Sequence, residues 1–284
     1  MSELMVNLDD RARLVTAVLA ASHWPELEQA QLTHAVHPHA KQTRQFVQPF
    51  AAHTAVISIN TLLAAGHPLS DIFAAALRCD LPELVPQEPL PSTIPADLPA
   101  ALADFARETA VFTQFWPQHS AAWQAALADL QAIFHTPLLA DFVGRLAGRP
   151  LPKKLLISPN LVYPALSTVL AETAVALHLL IPPPKAVGES PPWPYGEGPD
   201  WVLAEAAQPL IAHHLSAAFG TMPPDRRSLL THAAITLFLE EALGEADALA
   251  YMVRSKRQFN LPTLPVAVGE IRILLDENRS LMSF

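Results

Sequence analysis

The sequence predicts a mainly helical α+β fold with a small central β-sheet. Before residue 150 and after residue 200, apolar residues recur at spacings of three and four, the period of amphipathic helices. Between these regions, two short apolar runs end at prolines and fit strands better than helices. With 284 residues the chain can bury a sizeable core, so we expect one domain over 1–284. Its helical part is expected at 1–150, and its sheet and site helix at 151–284.

The first helices are predicted from their boundary residues. Asp9 or Asp10 is placed to cap a helix that runs to Ala21, because a short carboxylate side chain accepts from the unpaired N–H groups of the first turn. Two further helices are expected near Thr54–Ala65 and Ser70–Arg78, separated by a glycine and a proline.

Helical spacing continues in the middle and at the end of the chain. Leu98–Trp116 and Trp123–Phe134 carry aromatic and leucine residues at helical spacing, which predicts an αα-hairpin whose aromatic stripe packs in the core. Near the end, Asp225 is placed to cap a helix that stops at Gly244, and Val266–Asn278 supplies a terminal helix.

Two strands and two loops are predicted around the middle of the chain. Lys153–Ser158 and Ala174–Ile181 are too short for helices, so we expect them to pair in one sheet beside the helix that begins at Asp200. The proline-rich stretches Leu81–Pro99 and Pro182–Pro199 should be extended loops, since proline lacks an N–H.

Composition excludes several classes of protein. Glycine is scarce, at 9 residues against 28 prolines, and no GxGxxG, Walker or GxSxG motif occurs. A net charge of −9 argues against a nucleic-acid partner. A single cysteine, Cys79, leaves no internal disulfide or CxxC site, and it is expected in the core. An acidic N-terminus and the absence of an 18-residue apolar run predict no signal peptide, no membrane span and a cytoplasmic location.

The order of strands, proline-rich loop and two helices is the layout of a zincin metallopeptidase. In that layout the first helix carries HExxH, because histidines four residues apart reach one zinc ion and the glutamate activates its water. The helix after Asp200 seats the motif only as Ala204-Glu205-Ala206-Ala207-Gln208. The general-base glutamate is present, and both histidines are replaced.

Four segments together resemble an uncharacterised bacterial family of zincin-like, gluzincin-type domains. They are PFAAHTAVISINTLLAAGHPLSDIF, FWPQHSAAW, LLISPNLVYPA and AEAAQP. The resemblance implies that Glu205 is a vestigial catalytic base and that Ala204 and Gln208 occupy zinc-ligand positions. It places the third ligand at Glu240 or Glu241.

Neighbouring residues do not restore the predicted zinc site. At about 100° per residue, position 212 shares the helix face of residues 204 and 208, but it is Ala212. His213 and His214 point away from that face, and only a helix break at Pro209 would change this. We therefore predict no bound metal, with zinc as cofactor only if non-standard ligands exist.

The vestigial site predicts a cleft of unusual charge. Glu205 near Glu240 or Glu241 would place like charges in one pocket, which would raise the pKa of at least one carboxyl group and favour a cationic or hydrogen-bond-donating ligand. Alternatively, Glu205 is a solvated acid in the first turns of a helix. The apolar wall of the cleft is expected from three aromatic residues, which are Trp193, Tyr195 and Trp201.

A second group of candidate ligands is the HAVHPH segment with His34, His37 and His39. Closely spaced histidines are able to bind a transition metal, but loop histidines beside a proline are more often solvated or cap a helix.

Three functions remain open at this point. The first is a catalytically inactive, zincin-like protein that binds a protein or peptide partner or acts as a scaffold. The second is a metal-dependent hydrolase that uses Glu205 with ligands the sequence does not identify. The third is a helical interaction module in which the AEAAQ match is chance, since alanine-rich helices produce it readily.

Overall fold

The computed structural model describes residues 3–31, 36–162, 168–184 and 194–283. Helices dominate these residues, and the strands form a small mixed sheet of four strands and a separate sheet of two strands. The predicted fold class, mainly helical α+β with a small sheet, is confirmed.

The chain divides into two compact units, each of which is discontinuous in sequence. The N-terminal unit comprises Val6–Ala132 and Leu156–Glu197, and the C-terminal unit comprises Met1–Met5, Ile133–Leu155 and Gly198–Phe284. Each unit takes segments from both sides of residue 150.

The N-terminal unit consists of helices and most of the four-stranded sheet. Asp9 caps the first helix by accepting the N–H of Arg11 at 3.0 Å, as predicted. Between the helices expected near Thr54–Ala65 and Ser70–Arg78, Gly66 has a φ of 76°. Glycine adopts this left-handed conformation readily where the chain leaves a helix. The helices are α1 (Asp10–Ala21), α2 (Trp24–Gln31), α3 (Pro38–Val47), α4 (Thr54–Ala64), α5 (Leu69–Leu77), α6 (Leu98–Thr109), α7 (Trp116–Gln118) and α8 (Ser120–Ile133).

The strands include the two that the sequence predicts in the middle of the chain. They are β1 (Leu4–Val6), β2 (Cys79–Asp80), β3 (Val85–Pro86), β4 (Lys154–Pro159), β5 (Val169–Glu172) and β6 (Ala176–Ile181). The order β1-β4-β6-β5 places both predicted strands, β4 and β6, next to each other in one sheet. Every residue of β6 is buried, which explains why all of them except His178 are apolar. It starts at Ala176 because Thr173 turns the chain, its hydroxyl accepting the Ala176 N–H at 3.1 Å.

The predicted αα-hairpin is interrupted. Helix α6 ends at Thr109 because Ala110 adopts a left-handed φ of 52°, and a π-helical turn then spans Val111–Phe115 before α7. The aromatic stripe nevertheless packs inward, with Phe105 and Trp123 both buried. In the loop before α6, regular structure is limited to β3, as expected for a proline-rich stretch, whereas residues 185–193 of the second stretch lie outside the described residues.

The C-terminal unit is helical. Its helices are α9 (Leu138–Ala147), α10 (Pro199–His214), α11 (Ser216–Phe219), α12 (Pro224–Leu243), α13 (Glu245–Gln258) and α14 (Leu264–Asp276). The expected cap of α12 is wrong, because the N-cap is Pro223 and Asp225 lies inside the first turn, where its charge favours the helix dipole. The predicted stop at Gly244 is correct, with a φ of 103°.

No described helix is by itself both long and apolar enough to cross a bilayer. Pro38–Phe50 and Thr54–Ala64 reach the required length and composition only as a pair bent by 111°.

Candidate functional site

Helix α10 carries the segment that the sequence identifies as the vestigial site. It continues without a break through Pro209, so the helix geometry assumed for the motif holds. Ala204 is buried, whereas Gln208 and Ala212, one and two turns further along the same face, are exposed. This face therefore leads from the protein interior to the surface.

Gln208 and Ala212 both line a cavity of about 390 Å³ within the C-terminal unit, which we call the α10–α12 cleft. Helix α10 forms one wall and the first turns of α12 form the opposite wall, with α11 closing one end. The residues with polar or aromatic side chains that line it are Gln208, Ser216, Phe219, Arg227, Ser228, Thr231 and His232. A cleft on the predicted helix face is thus present, but most of its chemistry comes from residues that the sequence did not indicate.

Thr231 brings a hydroxyl group to the cleft. Its side chain is 8% exposed, and within the described ranges its Oγ1 atom makes no hydrogen bond. By contrast, the Oγ1 of Thr236 on the same helix donates to the carbonyl of His232 at 2.8 Å. The Oγ1 atom itself is not enclosed by protein, so it is accessible from the cleft, where it is able to donate to or accept from a bound molecule.

His232 forms the inner wall of the cleft. Its Nδ1 lies 2.7 Å from the hydroxyl oxygen of Tyr251 on α13, and its ring stacks on Phe259 at 4.2 Å between centroids. Burial lowers the pKa of His232 to about 4, so the ring is neutral at pH 7. With Nδ1 engaged, Nε2 is the ring nitrogen left to meet a molecule in the cleft.

Glu205 of α10 acts electrostatically on Tyr251 of α13. Burial is the main cause that raises the pKa of Tyr251, and the negative charge of Glu205 raises it further, while a hydrogen bond with Ser255 lowers it. Glu205 is half-buried and is not among the residues that line the cleft. The charge of Glu205 therefore acts on the tyrosine of the His232–Tyr251 pair.

Glu240 and Glu241 are held by arginines. Glu240 accepts two hydrogen bonds from Arg272 of α14, at 2.8 and 2.6 Å, and this ion pair lowers the pKa of its carboxyl group. Glu241 is paired with Arg145 of α9. The expectation of a raised carboxyl pKa is wrong for Glu240, because its near neighbour is a cation and not a second carboxylate.

None of the three acids lines the α10–α12 cleft. Glu240 lies eight residues beyond His232 on α12, which is about 12 Å of helix.

The aromatic residues expected to line the cleft have other positions. Tyr195 is buried in the N-terminal unit, where its hydroxyl donates to the carbonyl of Ile181 at 2.6 Å and accepts the N–H of Asn160 at 3.2 Å. Trp201 is half-buried on α10 and does not line the cleft, and Trp193 lies outside the described residues. Phe219, at the end of α11, supplies the aromatic surface instead.

The described residues around the motif do not fit a zinc ion. Ala204 offers no donor atom, and the two acids expected as the third ligand are occupied by arginines. His214 is buried and donates from Nε2 to the carbonyl of Arg149 at 3.2 Å, so it is committed to the backbone. A catalytic zinc needs about three good protein ligands, and no such set faces Gln208 in the described part of the chain.

One group of potential metal ligands was missed by sequence reasoning. His53 Nε2 in the N-terminal unit lies 3.8 Å from an oxygen of Asp104 and 3.7 Å from one of Glu108. However, His53 caps α4, its Nδ1 accepting the N–H of Ala55 at 3.1 Å. The neutral ring therefore carries its proton on Nε2, which then donates toward the carboxylates and has no lone pair for a metal.

The HAVHPH histidines have structural roles where they are described. His37 caps α3, its Nδ1 accepting the N–H of His39 at 3.2 Å. His39 is buried, and its Nε2 accepts the indole N–H of Trp123 at 2.8 Å, with a pKa lowered to about 3 chiefly by burial. His34 lies outside the described residues. Cys79 is buried as expected, and burial raises the pKa of its thiol to about 11.

Comparisons of the chain with models of protein families, with curated proteins and with solved structures find no match. The resemblance to zincin-like domains therefore stays a prediction.

Proposed function

We propose that the chain is a catalytically inactive, zincin-like binding protein whose α10–α12 cleft takes an extended peptide segment of a protein partner. The observation that carries the proposal is that Gln208 and Ala212, on the face of the degenerate motif, line a cleft whose far wall presents Thr231 and His232. We also propose that the protein is cytoplasmic and that it binds neither nucleic acid nor membranes.

The absence of a peptidase reaction follows from the donor atoms near the motif. Peptide hydrolysis by a zincin requires a metal-bound water beside the glutamate. Here Glu205 does not line the cleft, and Glu240 and Glu241 are paired with Arg272 and Arg145. Binding without hydrolysis is the use of the site that these contacts support best.

The wall chemistry favours a peptide over a cation. Gln208, Ser216, Ser228 and Thr231 offer amide and hydroxyl groups that both donate and accept, which suits alternating peptide N–H and C=O groups. The charged side chain among the lining residues is Arg227, which attracts a carboxylate. We therefore propose a neutral or acidic peptide as the ligand. The sequence alone favoured a cationic or hydrogen-bond-donating ligand, because it predicted clustered acids in the cleft.

Selection of peptides from a random library tests the proposal. Peptides are selected against the unmodified protein, and their affinities are then measured with Thr231→Val and Gln208→Ala. We expect each substitution to weaken binding by about five- to twentyfold, because one hydrogen bond is worth about 1 to 1.8 kcal/mol when its partner is left unpaired. Val266→Thr is the control, since Val266 is exposed on α14, outside the cleft.

Two results would overturn the proposal. Selected peptides that bind all variants equally would place recognition elsewhere and favour a general helical interaction module. One zinc per chain in protein purified without added metal, together with peptide cleavage that a Glu205→Gln variant abolishes, would favour the hydrolase.

A further inference from the structure

A second cavity, of about 500 Å³, lies in the C-terminal unit and shares no lining residue with the α10–α12 cleft. It is formed by α9, by the loop that follows α9, and by the residues after α14. Three of its lining side chains are arginines, Arg145, Arg149 and Arg279, and we call it the arginine pocket.

The backbone on both sides of the arginine pocket is fixed. On one side, Gly148 caps α9 with a φ of 67°, and the next residue, Arg149, donates its N–H to Gly144 at 3.0 Å and accepts at its carbonyl from His214. On the other side, Asn278 has a φ of 53°, and Arg279 donates its N–H to Leu274 at 2.8 Å. Arg149 and Arg279 therefore each follow a residue with a left-handed φ at the end of a helix. Their own backbone hydrogen bonds hold their Cα atoms in place. Such preorganisation lowers the entropy cost of binding.

The charges leave a cation available. Arg145 pairs with Glu241, and Arg279 pairs with Glu277 at 3.1 Å. Arg149 has no ion-pair partner anywhere in residues 3–31, 36–162, 168–184 or 194–283. With Asp141 as the acidic lining residue, the wall itself carries three positive charges and one negative charge, in a chain whose net charge is −9.

The helix dipole accounts for part of this arrangement. Cations are favoured near the carbonyl ends of helices, and Arg145 in the last turn of α9 needs no further explanation. The dipole does not explain why the arginines surround a concave space large enough for a small molecule, or why no acid of the described residues pairs with Arg149.

We propose that the arginine pocket binds the phosphate group of a small phosphorylated molecule. A guanidinium group presents paired N–H donors that match two oxygens of one phosphate, and the arginines approach the cavity from two separate walls. Arg149 would make the principal contact. Arg145 and Arg279 would share their donors between the phosphate and the acids they already contact.

Calorimetric titration with inorganic phosphate and pyrophosphate at low ionic strength tests this proposal, since screening is then weakest. We expect millimolar or tighter binding that Arg149→Ala weakens by about tenfold, the value of one charge-assisted hydrogen bond. Combining it with Arg279→Ala should remove measurable binding. Arg257→Ala, an exposed arginine at the end of α13, is the matched control and should not change the affinity.

Several calorimetric results would overturn the phosphate proposal. Absence of heat with both anions for the unmodified, folded protein would overturn the proposal, as would affinities that Arg149→Ala and Arg257→Ala change equally. Citrate binding as tightly as pyrophosphate would assign the pocket to carboxylates and would overturn the phosphate assignment. Peptide binding in the α10–α12 cleft is measured separately, so the two proposals fail independently.

Discussion

The Nδ1 atom of His232 lies 2.7 Å from the hydroxyl oxygen of Tyr251, and both side chains are buried. The pair joins α12 to α13, with the cleft on the histidine side and the charge of Glu205 acting on the tyrosine side. A buried polar pair of this kind is stabilising only while both members are present, because each would otherwise be left unsatisfied.

Removal of the Tyr251 hydroxyl tests that dependence. We expect Tyr251→Phe to lower the free energy of unfolding by about 1 to 3 kcal/mol, since Nδ1 of His232 is left buried without a partner. The double variant Tyr251→Phe/His232→Phe should lose at least about 1 kcal/mol less than the sum of the single variants. Urea unfolding measures all three. Strict additivity would mean that the contact carries no coupling energy.

The fold was predictable where the signal is local. Asp9, the apolar period of α12 and the stop at Gly244 act within a few residues, so the sequence reveals the helices they define. Strand β1 (Leu4–Val6) has three residues, too few for a period, and exists because β4 provides a partner for it. The break at Ala110 was also not predictable, because alanine is the best helix former and its left-handed φ is imposed by the surroundings.

The site was only partly predictable, because most of its contacts join residues that are far apart in the sequence. The helix face of Gln208 and Ala212 follows from helix geometry, and both residues do line a cleft. The arginines that neutralise Glu240 and Glu241 lie 32 and 96 residues away in sequence, and no local pattern reveals them. Thr231 and His232 sit at the start of a buried run of α12. The position of His232 inside an apolar run was the one sign in the sequence that this histidine is buried and has a polar partner.

Acid should destabilise the protein through three buried histidines. Burial lowers the pKa values of His39, His178 and His232 to about 3, 4 and 4. Above pH 6.5 these rings are neutral in both the folded and the unfolded chain, so they contribute nothing to the pH dependence. Below it, the unfolded chain binds protons that the folded protein refuses, and stability falls until the folded pKa values are reached.

The loss should amount to several kcal/mol between about pH 7 and about pH 4.5, at about 1.4 kcal/mol per pKa unit and group. His39→Gln, which keeps an acceptor for Trp123, should flatten this pH dependence. His23→Gln is the control, since His23 is exposed and its substitution should leave the slope unchanged. Urea midpoints at several pH values provide the measurement, and equal slopes for the two variants would contradict the assignment.

Restoring the histidines of the motif should not restore a zinc site. In Ala204→His/Gln208→His, the first substitution places an imidazole at a position that is 7% exposed, and overpacking should cost about 1 to 3 kcal/mol of stability. Glu240 and Glu241 remain paired with their arginines, so a third ligand is missing. Metal analysis after zinc addition and desalting should give no stoichiometric zinc, as for Gln208→His alone. One zinc per chain in the double variant alone would support inherited zincin geometry.

Two glycine substitutions of opposite sign test the wall of the arginine pocket. Gly148 has a φ of 67°, and an added Cβ would lie 2.9 Å from the Cβ of Ser280, so Gly148→Ala should destabilise the protein by about 1 to 2 kcal/mol. Gly269 lies inside α14 with no atom within 4 Å of the added Cβ, so Gly269→Ala should stabilise by about 0.5 to 1 kcal/mol. Thermal and urea unfolding measure both. If Gly148→Ala proved neutral, the loop before Arg149 would be free to shift, and the preorganisation argued for the arginine pocket would be lost.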